Sequence, residues 1–276
     1  MKKLTAKQIK KFQDIVLGYY RDHDRQHLPW RNKKRTPYQV LVSEVMLQQT
    51  QVDRVIPFFK EWMKQFPNFK SLTEARQVDV LRLWKGLGYN SRALRLQKLA
   101  QIVTNEYKGR LPKERQALEA LPGIGPYTAG AVRVFAFEES DIFIETNIRR
   151  IYIHHFFPDA KEVHDKDIMD LVEQTLPEMG AFTWYSALMD YGSTLPKVLK
   201  KNPNTQSKHY TKQSKFEGSD RQVRGKILEI LLLKNSTSDQ ELVGILGIEK
   251  KRYKKILQTM EKEGFIIIAD DGISLK

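Results

Sequence analysis

A single glutamate, Glu44, interrupts an apolar stretch with the sequence Val-Ser-Glu-Val-Met-Leu at 42–47. Helical periodicity predicts one helix over Pro37–Gln49, which places this carboxylate mid-helix among apolar side chains. Removing a carboxylate from water raises its pKa toward the range in which it donates a proton at neutral pH. Glu44 is therefore a candidate general acid. An exposed or ion-paired glutamate on the polar edge of a helix is the alternative.

A glycine-rich turn at 121–128, Leu-Pro-Gly-Ile-Gly-Pro-Tyr-Thr, is suited to bind an anion. Glycine takes positive φ without steric cost, which we expect of Gly123 and Gly125. Uncovered turn amides and the first N–H groups of the next helix would form a nest beside the positive end of a helix dipole. We expect a phosphate to bind here, at Gly123, Ile124, Gly125, Tyr127 and Thr128. The alternative is a tight turn with no ligand.

The flanking segments decide which glycine motif this is. Apolar spacing predicts helices over Glu114–Leu121 and Tyr127–Phe137, with no strand ahead of the turn. A dinucleotide-binding βαβ unit begins with a strand, so that class is excluded. The pattern is helix, hairpin, helix.

The charge balance points to a polyanionic partner. The chain has 276 residues with 47 Lys+Arg against 33 Asp+Glu, a net charge of +14. Nucleic acid is the first interpretation, and an anionic membrane surface is the second. No apolar run approaches the roughly 20 residues that cross a bilayer. We expect no membrane partner, and a soluble cytoplasmic protein associated with the nucleoid.

The absence of cysteine excludes disulfides, thiolate metal sites and cysteine-held iron–sulfur clusters. The histidines are scattered. His23 and His27 have i,i+4 spacing, but no zinc-hydrolase carboxylate motif surrounds them. We expect no metal centre.

Helical periodicity dominates the chain up to about residue 192, with N-caps expected at Thr36, Ser91 and Asp165. Besides those named above, the predicted helices are Ala6–Tyr20, Gln51–Gln65, Val78–Trp84, Ser91–Tyr107, Thr146–Phe157, Asp165–Leu176 and Phe182–Tyr191. Residues 193–218 are rich in lysine, which predicts a basic linker. It is either a solvated tether or a DNA-contacting loop.

The C-terminal residues 219–276 have the pattern of a winged helix-turn-helix. Helices are predicted over Arg221–Leu233, Ser238–Leu246 and Glu249–Glu263, followed by a hairpin of Phe265–Ala269 and Ile273–Leu275. The third helix carries a cluster of basic residues that we expect to contact DNA: Lys250, Lys251, Arg252, Lys254 and Lys255. Protein binding or simple packing is the alternative for this module.

Four motifs in order resemble the adenine DNA glycosylases that act on A/G mismatches. They are Leu-Pro-Trp-Arg at 28–31, Ser-Glu-Val-Met-Leu-Gln-Gln-Thr-Gln at 43–51, Leu-Trp-Lys-Gly-Leu-Gly-Tyr at 83–89, and the hairpin at 121–131. That family belongs to the helix-hairpin-helix superfamily, which includes endonuclease III. The resemblance covers about residues 5–192 and implies an all-α helix-hairpin-helix DNA glycosylase domain over 1–192. The winged helix-turn-helix, three helices plus a β-hairpin, follows it.

The resemblance also assigns catalytic roles. Glu44 would protonate a ring nitrogen of the extruded purine. Glu145 occupies the place of the family's aspartate, which faces the sugar; an N-cap glutamate is the alternative for Glu145. Asn147 would hold a phosphate or orient that carboxylate. Tyr127 stands where some superfamily members have a lysine that forms a Schiff base, so a monofunctional enzyme using water is implied.

Further residues match positions that handle the flipped base. Gln49 matches the intercalating glutamine of the family, and Tyr89 matches its wedge tyrosine. Gln48, the neighbour of Gln49, is expected to lie at the same place. Leu28, Trp30 and Arg31 match the base pocket, where Trp30 would stack on the base and Arg31 would donate a hydrogen bond. Core packing is the alternative for Trp30.

Two departures from the family leave the substrate open. Most members carry four cysteines after the last helix, and most end in a β-rich domain that reads oxidised guanine. This chain has neither pattern. We expect a monomeric DNA glycosylase of base excision repair that removes adenine opposite guanine or 8-oxoguanine from double-stranded DNA. It would need no cofactor, although the hairpin is compatible with a monovalent cation. The alternatives are a mismatch uracil or thymine glycosylase and a non-catalytic DNA-binding protein.

Overall fold

The computed structural model describes residues 3–23, 25–270 and 272–276. The chain forms two compact units, each built from two separate stretches. The first unit comprises Met1–Glu44 and Leu111–Lys212, and the second comprises Val45–Arg110 and Gln213–Lys276. These units differ from the domains predicted from the sequence, which end at residues 192 and 218. In the structure the C-terminal residues belong to the same unit as Val45–Arg110.

The described residues are mostly α-helical, as predicted. In chain order the helices are α1 Ala6–His23, α2 Pro37–Leu47, α3 Val52–Gln65, α4 Phe69–Glu74, α5 Gln77–Trp84, α6 Ser91–Glu106, α7 Arg115–Glu119, α8 Pro126–Phe137, α9 Thr146–Phe156, α10 Asp165–Thr175, α11 Ala181–Val198, α12 Asp220–Lys234, α13 Asp239–Leu246 and α14 Lys250–Lys262. Short 3₁₀ turns cover Pro29–Arg31 and Pro203–Gln206. Within the described part of the chain, no helix is both long and apolar enough to span a bilayer.

Helix starts follow local chemistry. The amide of Gln39 donates to Thr36 Oγ1 at 3.3 Å and the Thr36 amide donates to Gln39 Oε1 at 2.8 Å, which caps α2 as predicted. The other two predicted caps are wrong by one residue. Asn90 and His164 hold the N-cap positions, and Ser91 and Asp165 begin their helices. The Asp165 carboxylate instead binds the Arg149 guanidinium at 2.7 Å.

Helix α4 was not predicted because it has only six residues, too few to show a period. A reciprocal capping box of Asn68 and Ser71 starts it.

The core of the first unit is built from the apolar faces of α1, α8, α9, α10 and α11. Trp184 and Tyr185 on α11 and Tyr152 on α9 are fully buried in it. Helices α9 and α11 approach closely at Gly192, where an added Cβ would lie 2.3 Å from the Asn147 carbonyl oxygen. Glycine is required here because α11 passes directly over the first turn of α9.

The lysine-rich stretch after α11 is partly built into the first unit. The 3₁₀ turn Pro203–Gln206 packs on α9, and Ser207 forms a parallel bridge with Val163. The Gln206 side chain donates to the Ala160 carbonyl at 2.6 Å and to the Phe157 carbonyl at 3.2 Å. These contacts give cohesion at the place where most relatives were expected to carry a cysteine cluster.

In the second unit, α4 and α5 pack against α6, and the C-terminal residues form the winged helix-turn-helix. Its antiparallel sheet has the order β1-β3-β2, with β1 Ser236–Thr237, β2 Ile266–Ala269 and β3 Gly272–Leu275. The hairpin of β2 and β3 was predicted, while the two-residue β1 was not. Within the predicted turn between β2 and β3, Asp271 lies outside the described residues. Ser238 caps α13, and Gly247 ends it with φ of +57°.

Replacing Gly192 by alanine tests the close crossing of α9 and α11. We expect Gly192→Ala to lower the free energy of unfolding by about 1–3 kcal/mol, because the methyl group overpacks a backbone carbonyl. Gly225→Ala in α12 is the matched control, since nothing lies within 4 Å of its added Cβ. Urea unfolding of both variants measures this, and equal stability of the two variants would contradict the close approach.

Candidate active site

Glu44 on α2 and Tyr127 on α8 form the centre of the site in the first unit. Glu44 is only 6% exposed. The Tyr127 hydroxyl donates a hydrogen bond of 2.6 Å to Glu44 Oε2. Tyr127 stands in the first turn of α8, directly after the glycine hairpin, so the hairpin that begins α8 also delivers the partner of the acid.

Burial raises the pKa of Glu44 to about 7. The hydrogen bond from Tyr127 opposes that rise by stabilising the carboxylate, the charge of Glu145 adds to it, and the Arg31 cation lowers it. A carboxyl with this pKa holds a proton near neutral pH and can give it up. This matches the requirement for a general acid.

Glu145 caps the N-terminus of α9 with its own side chain. Its Oε1 accepts from the amides of Asn147 at 2.6 Å and Ile148 at 2.9 Å. The Asn147 side-chain amide donates to Oε2 at 3.3 Å. Burial raises the pKa of this carboxyl, and the two backbone hydrogen bonds lower it. The cap and the predicted second carboxylate are therefore the same group.

Glu44 and Glu145 both influence the pKa of Tyr127. Burial raises the pKa of the Tyr127 phenol well above its usual value, and the charges of Glu44 and Glu145 raise it further. Glu145 also appears among the groups that raise the Glu44 pKa. The predicted acid and the predicted second carboxylate thus lie in one electrostatic environment.

Asn147 is held from both sides. The Arg150 guanidinium donates to Asn147 Oδ1 at 2.8 Å and to the Gly192 carbonyl at 2.7 Å. Because its oxygen accepts from Arg150 and its nitrogen donates toward Glu145, the amide orientation is set. The side chain of Asn147 thus contacts the Glu145 carboxylate, and its two predicted roles stay predictions.

The predicted base-pocket residues Leu28, Trp30 and Arg31 lie in and beside the 3₁₀ turn Pro29–Arg31. Leu28 and Trp30 are 3% and 7% exposed, so both have the packing that a core residue shows. Arg31 makes a bidentate ion pair with Asp190, with N–O distances of 2.6 and 2.9 Å. Both Nη atoms of Arg31 therefore bind the Asp190 carboxylate. The positive charge of Arg31 also lowers the pKa of Glu44.

The hairpin agrees with its prediction in part. Gly123 has φ of +83°, as expected, but Gly125 has φ of −100° and needs no glycine for its backbone. A Cβ added to Gly125 would meet nothing within 4 Å, so the space above this residue is open. The Ile124 amide donates to the Leu121 carbonyl at 3.1 Å, which closes the turn instead of opening toward a phosphate. Thr128 is buried, and α8 begins at Pro126.

Gln48, Gln49 and Tyr89 lie in the second unit, in two turns that share an unusual backbone. Gln49 has φ of +58° and Tyr89 has φ of +46°, a region that costs a non-glycine residue about 1 kcal/mol or more. Both side chains are exposed. Both residues predicted to enter DNA are thus held in strained turns at the surface.

A buried guanidinium, that of Arg92 on α6, holds these two turns together. Its Nη1 donates to the carbonyls of Val45, Met46 and Gln48 at 2.6 to 3.0 Å. On the other side, Nη2 donates to the Gly88 carbonyl at 3.0 Å. Each of these acceptors is a carbonyl oxygen, and burial lowers the pKa of Arg92 to about 10, which leaves it charged.

No group of three or more His, Cys, Asp or Glu side chains within residues 3–23, 25–270 and 272–276 is placed to hold a metal ion.

Comparison with known proteins places the chain in a family. Residues 42–178 match the HhH-GPD superfamily of base excision DNA repair proteins. The adenine DNA glycosylase of Mycolicibacterium smegmatis is 36% identical over 233 residues, covering 78% of each chain. The chain belongs to the adenine DNA glycosylase family of this superfamily. It is accordingly a DNA glycosylase of base excision repair.

Other relatives of the glycosylase agree with this assignment. The adenine DNA glycosylase of Mycobacterium tuberculosis (strain H37Rv) is 31% identical, covering 79% of this chain and 77% of the relative. That of Buchnera aphidicola subsp. Acyrthosiphon pisum is 36% identical, covering 67% of this chain but 53% of the relative. The chain therefore spans about half the length of the Buchnera protein.

Solved structures show the same helical fold. A thermostable thymine-DNA glycosylase superposes with a TM-score of 0.59 at 27% identity, covering 68% of this chain and 87% of that one. An endonuclease III trapped in a covalent intermediate with DNA gives 0.54 at 22% identity, covering 71% of this chain and 88% of that one. The second likeness supports the fold alone.

Sequence reasoning missed three residues that position the site of the glycosylase: Arg92, Asp190 and Gly192. Asp190 stands among apolar residues, the same pattern that singled out Glu44, whereas Arg92 directly follows Asn90 and Ser91 and shows no such signal. Gly192 lies just beyond the helix predicted over Phe182–Tyr191, whereas α11 continues through it to Val198.

The lysines of α14 are exposed, which suits contact with a polyanion: Lys250, Lys251, Lys254 and Lys255. Arg252 is used differently from its neighbours. Its guanidinium donates to Asp220 Oδ1 at 2.8 Å and to the Gly218 carbonyl at 2.6 Å, which ties α14 to the start of α12.

The raised pKa of Glu44 makes the stability of the glycosylase depend on pH. Folded Glu44 keeps its proton up to about pH 7, whereas the unfolded chain releases it near 4.5. The folded state binds more protons in this window, so Glu44 lowers the free energy of unfolding by about 3 kcal/mol as the pH rises through it. Glu44→Gln removes that loss. The free energy of unfolding of this variant, compared with that of the wild type, should therefore be higher at pH 8 than at pH 4.5.

Urea unfolding at the two pH values measures the effect. Glu178→Gln, which removes the same charge from an exposed position, is the control. A pH-independent difference between Glu44→Gln and the wild type would show that folding does not raise the pKa of this carboxyl.

Arg92→Lys tests the clamp on the two turns. Lysine offers one ammonium where the guanidinium forks between carbonyls on both sides, so we expect unfolding to become easier by about 2 kcal/mol. We also expect the folded variant to release the base more slowly than the wild type. The reason is that the backbone at Gln49 and Tyr89 is no longer fixed by the guanidinium. Arg95→Lys, one turn along α6 and exposed, should change neither unfolding in urea nor single-turnover rates. Wild-type behaviour of Arg92→Lys would refute the clamp.

Proposed function

We propose that this glycosylase hydrolyses the N-glycosidic bond of adenine mispaired with guanine or 8-oxoguanine. The observation that carries the proposal is the buried Glu44 carboxyl, whose pKa of about 7 suits proton donation to a purine ring nitrogen. Relatives with this resemblance are named adenine DNA glycosylases, which supports adenine as the base. The opposite base is proposed from the family resemblance.

The reaction needs a better leaving group and a stabilised sugar cation. Glu44 gives its proton to adenine, the bond from C1′ to the ring nitrogen breaks, and the bonding electrons leave with the base. The charge of Glu145, fixed by the amides of Asn147 and Ile148, stabilises the oxocarbenium-like sugar. Water then adds its oxygen to C1′ and gives one proton to the Glu44 carboxylate, which restores the acid and leaves an abasic site.

Tyr127 limits the chemistry to hydrolysis. A phenol cannot form the Schiff base through which an amine nucleophile leads to strand cleavage. Its hydrogen bond to Glu44 instead orients the acid. We therefore propose a monofunctional enzyme that uses no cofactor and acts as a monomer on the DNA of the nucleoid.

DNA binding is assigned to several surfaces. A backbone phosphate fits at the first turn of α8, where the space above Gly125 is open. The hairpin is also compatible with a bound monovalent cation. The exposed α14 lysines suit further phosphates. Gln49, with its neighbour Gln48, and Tyr89 are assigned to fill the gap left by the extruded base. Leu28, Trp30 and Arg31 are assigned to the pocket wall.

A mismatch thymine or uracil glycosylase is the second candidate. The likeness to a thymine-DNA glycosylase at 27% identity favours it. The buried acid favours adenine, because a purine leaves more readily once a ring nitrogen is protonated.

A panel of labelled duplexes separates these candidates. Duplexes with A:8-oxoG, A:G, T:G and U:G are incubated with enzyme and then cleaved by alkali at abasic sites. We expect product from the first two only, no cleavage before alkali, and a loss of at least about 10²-fold in rate for Glu44→Gln at unchanged duplex affinity.

Glu178→Gln is the control and should retain the wild-type rate. Product from T:G or U:G alone would establish the second candidate. Undiminished turnover by Glu44→Gln would remove this residue from the mechanism.

A further inference from the structure

The C-terminal module, residues 213–276, packs against the turn that carries Tyr89 within the second unit. The Lys85 ammonium lies 3.0 Å from Glu229 Oε1 on α12. The Gln77 side chain donates to the Gly264 carbonyl at 2.8 Å. These two contacts hold the module beside α5 and the turn at 85–89, without involving Tyr89.

A third contact reaches the tip of Tyr89 itself. Arg221 Nη1 donates to the Tyr89 hydroxyl oxygen at 2.7 Å, and Gln213 Nε2 donates to the same oxygen. The Arg221 guanidinium also lies 5.4 Å from the centre of the Tyr89 ring. Two side chains of the C-terminal module therefore converge on the phenol oxygen of an exposed tyrosine.

The arginine that makes this contact is itself held in place. Arg221 Nη2 donates to the Ser214 carbonyl at 2.8 Å and to Ser214 Oγ at 3.1 Å. The Arg221 guanidinium therefore links Ser214, which precedes α12, to the Tyr89 hydroxyl. A guanidinium fixed at one end presents its other N–H groups in a defined direction.

Positioning matters for this tyrosine because its backbone is strained. Tyr89 has φ of +46° and is 36% exposed, so part of its side chain faces solvent. Arg92 fixes the backbone of the turn from below, as its Nε donates to the Tyr89 carbonyl at 3.4 Å. Arg221 and Gln213 fix the other end of the residue.

We propose that the C-terminal module is a working part of base extrusion, with Arg221 and Gln213 as positioning residues that aim the Tyr89 ring at the duplex. This inference rests on the wedge role of Tyr89 in the proposed function. It extends that function to a module outside the matched family region, which ends at residue 178. A polar contact at an exposed tip contributes little to folding, so its purpose is orientation.

Arg221→Ala tests the proposal. We expect single-turnover release of adenine to slow roughly tenfold, the size of one lost charge-assisted hydrogen bond. The fluorescence rise of 2-aminopurine placed beside the target adenine, which reports unstacking, should slow by the same factor. The thermal midpoint should stay within about 2 °C of the wild type, since exposed polar contacts add little stability.

Arg224→Ala is the matched control. Arg224 lies one turn along α12 and pairs with Glu263, with an Nη1–Oε1 distance of 3.2 Å, inside the module. It should leave both rates unchanged. Arg221→Lys should recover part of the lost rate, because an ammonium can still donate to the phenol oxygen.

A double-mutant cycle with Tyr89→Phe decides whether Arg221 acts through the hydroxyl. We expect Tyr89→Phe to slow extrusion to a similar degree, and the double variant to be no slower than the slower single variant. Multiplying effects, roughly a hundredfold in the double variant, would overturn the proposal. An unchanged rate for Arg221→Ala would overturn it as well.

Tyr89→Ser distinguishes this inference from the proposed function. Full activity of Tyr89→Ser would remove the wedge role and this inference with it, while the proposed release of adenine by Glu44 would stand. Slow extrusion by Tyr89→Ser together with a wild-type rate for Arg221→Ala would leave the proposed function intact and refute this inference alone.

Discussion

The chemistry of the site depends on keeping one carboxyl group, that of Glu44, out of water. Burial raises its pKa to about 7 and is the largest of the influences on it. Helix α2 can bury the group because the residues around it are apolar, and the Tyr127 hydroxyl donates a hydrogen bond of 2.6 Å to its Oε2. An acid held this way is partly protonated at neutral pH and can donate that proton to a basic ring nitrogen.

The second carboxylate shows how one residue can serve structure and chemistry together. Glu145 is one methylene longer than the aspartate expected in the family, and the side chain turns back to cap α9 through the Asn147 and Ile148 amides. The positive end of the helix dipole then favours its negative charge. The same placement brings that charge to bear on Tyr127 and Glu44. Gly192 makes this possible, because only glycine lets α11 pass the first turn of α9.

The second unit uses the opposite device, a buried cation in place of a buried acid. Arg92 is 6% exposed and satisfies carbonyls that the turns at Gln49 and Tyr89 leave without helical partners. A guanidinium can do this because its N–H groups point in several directions at once. Strain of the kind seen at Gln49 and Tyr89 persists only where surrounding contacts over-determine the backbone.

The sequence by itself determined all of the long helices, the hairpin and Glu44 as the candidate acid. Long apolar periods, Thr36 before Pro37, and a glycine-rich turn are local features, so they predict α2, α8 and Gly123 without knowledge of the partners. The family motifs similarly located Glu145, Gln49 and Tyr89. Only the tertiary structure decided how these residues are held: Arg31 binds Asp190, and Arg221 contacts the hydroxyl group of Tyr89. Contacts between residues far apart in the chain leave no periodic trace, because spacing along one helix says nothing about which distant side chain it will meet.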